Sequence, residues 1–165
     1  MGQLNRRGYT LVEIMIGVAI LGILGAVVTN LFIGGVRFWR LSIAKSEIQR
    51  DARTYLDAIG RTLRQAQAST VTIDRLNSSQ PAYSRISFTT IQGKSMAYYQ
   101  NGIRLCQLIN GSTYYLADNL RNIYFTFPRT DDADIVSISL CFEKATYTGG
   151  TKALHLSVEK IRIMN

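Results

Sequence analysis

The sequence predicts an α+β chain. One long N-terminal helix, apolar in its first half and amphipathic in its second, packs on an antiparallel β-sheet head. Three observations predict this. Residues 9–28, YTLVEIMIGVAILGILGAVV, are apolar except for a single carboxylate, Glu13. Further on, Leu41, Ala44, Ile48, Ala52, Tyr55, Leu56, Ile59, Leu63 and Ala66 recur at steps of three and four, which places them on one face of a helix. After Ala68 the pattern becomes period-two alternation punctuated by glycine turns, the signature of strands and hairpins. The chain therefore divides into a short basic leader (1–8), a transmembrane half of the helix (9–36), an amphipathic half (37–68) and an antiparallel β head (69–165).

The apolar run comes first. A helix rising about 1.5 Å per residue covers about 30 Å over residues 9–28, which matches the hydrocarbon thickness of a bilayer. Arg6 and Arg7 precede it, so a single-pass topology with a cytoplasmic N-terminus and an exported head is expected, in the inner membrane. An ordinary signal peptide or signal anchor is the rival reading. Against it, the apolar run passes without a break into the second helical stretch, and Glu13 is costly inside a membrane helix unless a partner meets it. Arg37, Phe38, Trp39 and Arg40 stand where the helix leaves the bilayer, a level that favours aromatics and arginines; core packing explains them nearly as well.

Arg6, Arg7, Gly8, Tyr9, Thr10, Leu11, Val12 and Glu13 together resemble the leader junction of type IV prepilins, in which a basic leader ends in glycine and an aromatic residue begins the mature chain. The resemblance implies a pilin-like fold, cleavage after Gly8 by a prepilin peptidase, and methylation of the new amine on Tyr9. It also implies that Glu13 meets the N-terminal amine of a neighbouring subunit during assembly. A buried acid and a buried amine are each costly alone and offset one another when paired. Major pilins commonly have a helix-breaking proline near the position of Asn30; this chain has none there, so any loosening of the helix falls to Gly34 and Gly35. In the head, RTLRQA (61–66), LADNLRNIYFTF (116–127) and the terminal IRIMN are similar to minor pilins and J-type minor pseudopilins.

The amphipathic half follows. Its polar face has Arg53, Asp57 and Arg61 spaced at four, which supports an exposed helix surface, while Gly60 interrupts the helix at a cost of about 1 kcal/mol relative to alanine. Strands are predicted at 71–74, 86–91, 96–100, 103–109, 113–116, 123–127, 135–142 and 154–163. Turns are expected at Gly93, Asn101-Gly102, Asn110-Gly111 and Gly149-Gly150, the Asn-Gly pairs being suited to tight hairpins. In 135–142, Val136, Ile138, Leu140 and Phe142 fall on one face and should meet the helix stripe. Residues 77–84, NSSQPAYS, form the expected loop.

A formal charge of +8 over 165 residues invites a nucleic-acid reading, but the cations are spread along the chain without a basic block. Tyr98, Tyr99, Tyr114 and Tyr115 with Arg85 and Arg104 are the residues that could stack on bases; strand packing accounts for them more simply, and nucleic acid is not expected as a partner. Cys106 and Cys141 are a candidate disulfide in an exported head, worth roughly 3–4 kcal/mol if formed. By alternation both fall on the polar side of their strands. Asp131, Asp132 and Asp134 are calcium-ligand candidates, for which an acidic turn is the simpler account. Paired catalytic carboxylates, a nucleophile elbow, a phosphate loop and zinc spacing are all missing, so neither catalysis, a metal nor a cofactor is expected.

The functional expectation is a non-enzymatic minor pilin or pseudopilin of a type IV pilus or type II secretion pseudopilus. Its expected partners are other pilin or pseudopilin subunits, the prepilin peptidase, the inner-membrane assembly platform and the lipid bilayer. The alternatives are a DNA-uptake minor pilin and a signal-anchored exported binding domain.

Overall fold

The computed structural model describes residues 9–129, 134–146 and 152–164. Helix α1 (Leu11–Leu63) and a short 3-10 turn (Ala68–Thr70) precede strands β1 (Thr72–Asp74), β2 (Arg85–Thr89), β3 (Ser95–Asn101) and β4 (Arg104–Ile109). The chain continues with β5 (Ser112–Ala117), β6 (Leu120–Thr126), β7 (Ile135–Ala145) and β8 (Lys152–Arg162). Each predicted strand is present, and the α+β class stands. The chain separates into two compact units at Arg40.

In the first unit α1 bares its apolar side chains. Its apolar stretch is unburied throughout and is long and apolar enough to cross a membrane. The Thr29 hydroxyl donates to the Gly25 carbonyl at 2.9 Å, which satisfies that polar group within the helix itself. Loosening at Gly34 and Gly35 does not occur: both lie inside unbroken α-helix.

In the second unit the rest of α1 lies on the strands. Ala44, Ile48, Ala52, Leu56, Ile59, Leu63 and Ala66 are buried, with Leu41 and Tyr55 packed beside them, as the stripe predicts. Gly60 is explained by a close approach, since a Cβ there would lie 3.1 Å from Cδ1 of Ile161. The Tyr55 and Phe142 rings sit 6.2 Å apart between helix and β7. Tyr98, inside the core, shares a 2.9 Å hydrogen bond with the Thr62 hydroxyl and accepts another from Nε2 of Gln107 at 2.8 Å. Those bonds let a phenol be buried without an orphaned polar atom.

The strands form two antiparallel sheets rather than one, β1-β2-β3-β4-β5 and β6-β7-β8. The break follows from backbone chemistry: Asn119, between β5 and β6, takes a positive φ of 64° that no strand tolerates, and β6 turns away to pair with β7. One side chain then closes the seam. Nε2 of Gln100, at the end of β3, donates to the carbonyls of Gly102 at 2.8 Å and Arg121 at 3.0 Å, and its Oε1 accepts the amide of Ile123 at 3.2 Å.

The two Asn-Gly turns differ. Asn110 and Gly111 both take positive φ, 48° and 88°, the tight hairpin geometry expected of the pair. At the other, Asn101 pairs with Arg104 as the last residue of β3, so the turn residues are Gly102, at φ 60°, and Ile103. The turn is shifted one residue from the sequence expectation and uses glycine in its first central position. The Gly149-Gly150 turn lies outside the described residues.

Candidate functional site

The beginning of α1 is the candidate site. Thr10 stands one residue before the helix and Glu13 three residues further on, the spacing of a capping box. The backbone N–H of Thr10 donates to Oε2 of Glu13 at 2.8 Å and its hydroxyl donates to the same oxygen at 3.0 Å. In return the Glu13 N–H donates to the Thr10 hydroxyl oxygen at 3.3 Å. The first intrahelical bond, from the Ile14 N–H to the Thr10 carbonyl, follows at 3.3 Å. A carboxylate in the first turn also sits at the positive end of the helix dipole.

Glu13 thus has a partner within its own chain, one that a search for a cation overlooks. The signal was present, because Thr-x-x-Glu directly before an apolar run is the sequence form of this cap. Both of its Thr10 contacts fall on Oε2. Tyr9 is exposed just ahead of the cap. Gly8 and the leader lie outside the described residues, so the cleavage junction is legible from sequence alone.

Residues 3–29 match the family model described as the prokaryotic N-terminal methylation motif. The chain is type IV prepilin-like. The matched segment holds Gly8, Tyr9, Thr10 and Glu13 together, so the capped acid belongs to the substrate motif of a prepilin peptidase. Such a motif suggests interaction with a prepilin peptidase and with other pilin subunits, and the apolar helix fits a membrane-anchored pilin. Neither a curated protein nor a solved structure matches the chain.

The remaining candidates lie elsewhere in this prepilin-like chain and do not converge on its N-terminal site. The Cys106–Cys141 bridge is not made: both thiols are free, Cys106 in β4 of the five-stranded sheet and Cys141 in β7 of the three-stranded one. Cys106 keeps the outer face that alternation assigns it, on the side away from core Leu105, but it is not exposed there. It is fully buried in a row between Tyr99 and Tyr115, whose larger side chains flank the small thiol on that face. Burial pushes both thiols up in pKa, which disfavours the thiolate a nucleophile needs.

Asp131 and Asp132 lie outside the described residues. Asp134 caps the start of β7, where its carbonyl accepts the Ile163 amide at 2.7 Å. Among the described residues, no three His, Cys, Asp or Glu side chains gather into a metal site.

The aromatic set separates by depth. Tyr98 is in the core and Tyr99 is buried, whereas Tyr114 and Tyr115 are exposed. Arg85 pairs with Asp74 at 3.4 Å, and Arg104 pairs with Asp118 at 3.0 Å while lying 5.3 Å from the Tyr115 ring centre. Both guanidiniums already face carboxylates. Phe38 and Trp39 are exposed on the helix surface.

Proposed function

We propose that this chain is a minor pilin or pseudopilin subunit, non-enzymatic, that works in a type IV pilus or a type II secretion pseudopilus. It enters the inner membrane as a single-pass protein with its N-terminus cytoplasmic and its head outside, is cut after Gly8, and is methylated on the Tyr9 amine. The inner-membrane assembly platform and the surrounding lipid then hand it to a filament of related subunits.

The observation that carries this reading is the state of Glu13. In a bare apolar helix its carboxylate is held by Thr10 through Oε2 alone. A carboxylate offers two oxygens and about four acceptor directions. A second donor can therefore approach Oε1 without displacing the cap. The amine exposed by cleavage before Tyr9 is such a donor, and on a neighbouring subunit it would bring charge complementarity to an acid already oriented by its own helix. Continuity of α1 through Gly34 and Gly35, with no proline near Asn30, supports a minor rather than a major subunit.

Glu13→Ala in the full chain tests the assignment. Membrane insertion and cleavage after Gly8 should persist while co-assembly with neighbouring subunits falls at least tenfold. Co-assembly at the normal level would refute the pairing role. N-terminal sequencing of the membrane-extracted protein should begin at a methylated Tyr9; a chain starting at Met1 or Gly2 would refute the processing.

A further inference from the structure

Strand β8 has its apolar residues on the outer face. Alternation along it places Ala153, His155, Ser157, Glu159 and Ile161 on the helix side, where Glu159 pairs with Arg64 and Ile161 meets Gly60. Its larger apolar residues point the other way: Leu154, Leu156 and Val158 are 52%, 64% and 56% exposed. Small side chains lie beside them on β7, with Cys141 paired to Leu156 and Ser139 to Val158, and Tyr124 of β6 is paired to Ser139. The result is a contiguous apolar stripe on the outer face of the three-stranded sheet, beside a strand whose far edge pairs with nothing among the described residues. Scattered exposed leucines are ordinary; a contiguous patch rimmed by charge marks an interaction surface.

The rim selects the occupant. Lys152 bounds the stripe at one end and Lys160 and Arg162 at the other, all on the same face. Across these three strands the one carboxylate on that face, Glu143, is already shared by Arg121 at 2.8 Å and by Lys152. A second copy of this chain fits poorly. Antiparallel pairing of two β8 strands centred on Ser157 sets Lys152 across from Arg162, and pairing centred on Leu156 sets Lys152 across from Lys160. Like charges directly opposite are destabilising, and edge lysines are a common guard against self-pairing.

We propose that the outer face of β6-β7-β8 docks the head of a different prepilin-like subunit, one that presents an apolar centre flanked by carboxylates. The nature of the partner rests on the filament reading; the surface itself does not.

The test uses the full chain in its native membrane with a photoreactive benzoylphenylalanine at Leu156, and the same probe at exposed Tyr115 as control. The Leu156 probe should give, at least tenfold above the control, one adduct with a distinct prepilin-like protein. Lys160→Glu with Arg162→Glu should reduce that adduct at least tenfold, as should Leu154→Asp, and far-ultraviolet circular dichroism should show each variant folded. If Leu154→Asp fails to fold, the charge reversal, confined to solvent-facing side chains, decides the matter. An adduct of twice this chain's own mass, crosslinking no greater than at Tyr115, or indifference to the charge reversal would each overturn the proposal. Sequencing the N-terminus in the same cells keeps the two readings apart. Processing after Gly8 without the adduct sinks the docking face alone, whereas an unprocessed chain sinks the filament reading.

Discussion

Replacing Gln100 by leucine tests how the two sheets of the head are held as one body. The side chain is 7% exposed and makes three hydrogen bonds across the seam, at 2.8, 3.0 and 3.2 Å. Leucine is similar in length and keeps the packing volume, but it strands the Ile123 amide and leaves the Arg121 carbonyl short of a donor. An unsatisfied buried donor costs about 1–3 kcal/mol, and the deprived carbonyl adds to that. The extra apolar surface of leucine returns about a third of this, at about 25 cal/mol per Å². A net loss of about 2–3 kcal/mol follows, and in a head of this size that lowers the melting temperature by about 8–12 °C. Thermal unfolding of the full chain in detergent, followed by near-ultraviolet circular dichroism, reads the shift. Hydrogen exchange adds a local check, because the Ile123 amide should lose protection before its neighbours in β6. A variant melting within about 2 °C of the parent, with Ile123 still protected, would show that the seam is held by something other than this amide.

Three further outcomes are expected. Unfolded in urea without reductant, the protein should titrate two thiols, and in the folded state Cys141 should react well before the buried Cys106; no thiol in urea would restore the disulfide. Hydrogen bonds from Lys144 to Glu47 and from Lys152 to Glu143, reinforced by the lysine charges, hold both carboxyls below the ordinary value of 4.5. A depressed folded pKa contributes stability that is present above 4.5 and is lost as pH falls through the lowered value. The gap in melting temperature between parent and Lys144→Met should therefore be open at pH 7 and closed in strong acid, and a gap constant with pH would refute the pairing. At Gly60, alanine should leave stability within about 1 kcal/mol, because the helix preference gained is set against a nudge to the flexible end of Ile161. Leucine there should cost about 1–3 kcal/mol by overpacking, and a leucine variant of unchanged stability would remove the close-approach account.

Much of the fold was legible because its signals are local and redundant. The helix stripe from Leu41 to Ala66 announces its own buried face by spacing, and it packs as that spacing requires. The strands announce themselves by alternation, and Asn110-Gly111 by the positive φ that few other pairs accept. What could not be read was non-local. Nothing in the run Leu116 to Arg121 says that Asn119 will turn left-handed and divide one sheet into two, since asparagine tolerates both conformations. The burial of Cys106 was hidden for a related reason: alternation gave its face but not whether neighbours cover it, and here Tyr99 and Tyr115 stand on either side of it. In β8 alternation separates two faces without saying which is covered. Leu154, Leu156 and Val158 share one face, and it is the register with β7 that puts Ala153, Ile161 and the polar residues between them on the helix side instead.

The candidate site shows the same division between local and non-local information. Thr10 and Glu13 are three residues apart, so their mutual cap is a property of the chain alone and could have been read without any coordinates. That local bond changes what assembly has to supply. An acid with no partner in an apolar segment would gain from almost any donor, and would bind amines indiscriminately. An acid already capped gains only the increment that a charged amine adds to two neutral donors, so the exchange discriminates in favour of a true ammonium at short range. The cap also fixes the carboxylate's orientation before the neighbour arrives, leaving less side-chain entropy to be lost on pairing. On the filament reading, Thr10 therefore acts as a positioning residue for Glu13: it lowers the cost of inserting the acid by holding Oε2, and leaves Oε1 open to the one kind of partner that processing creates.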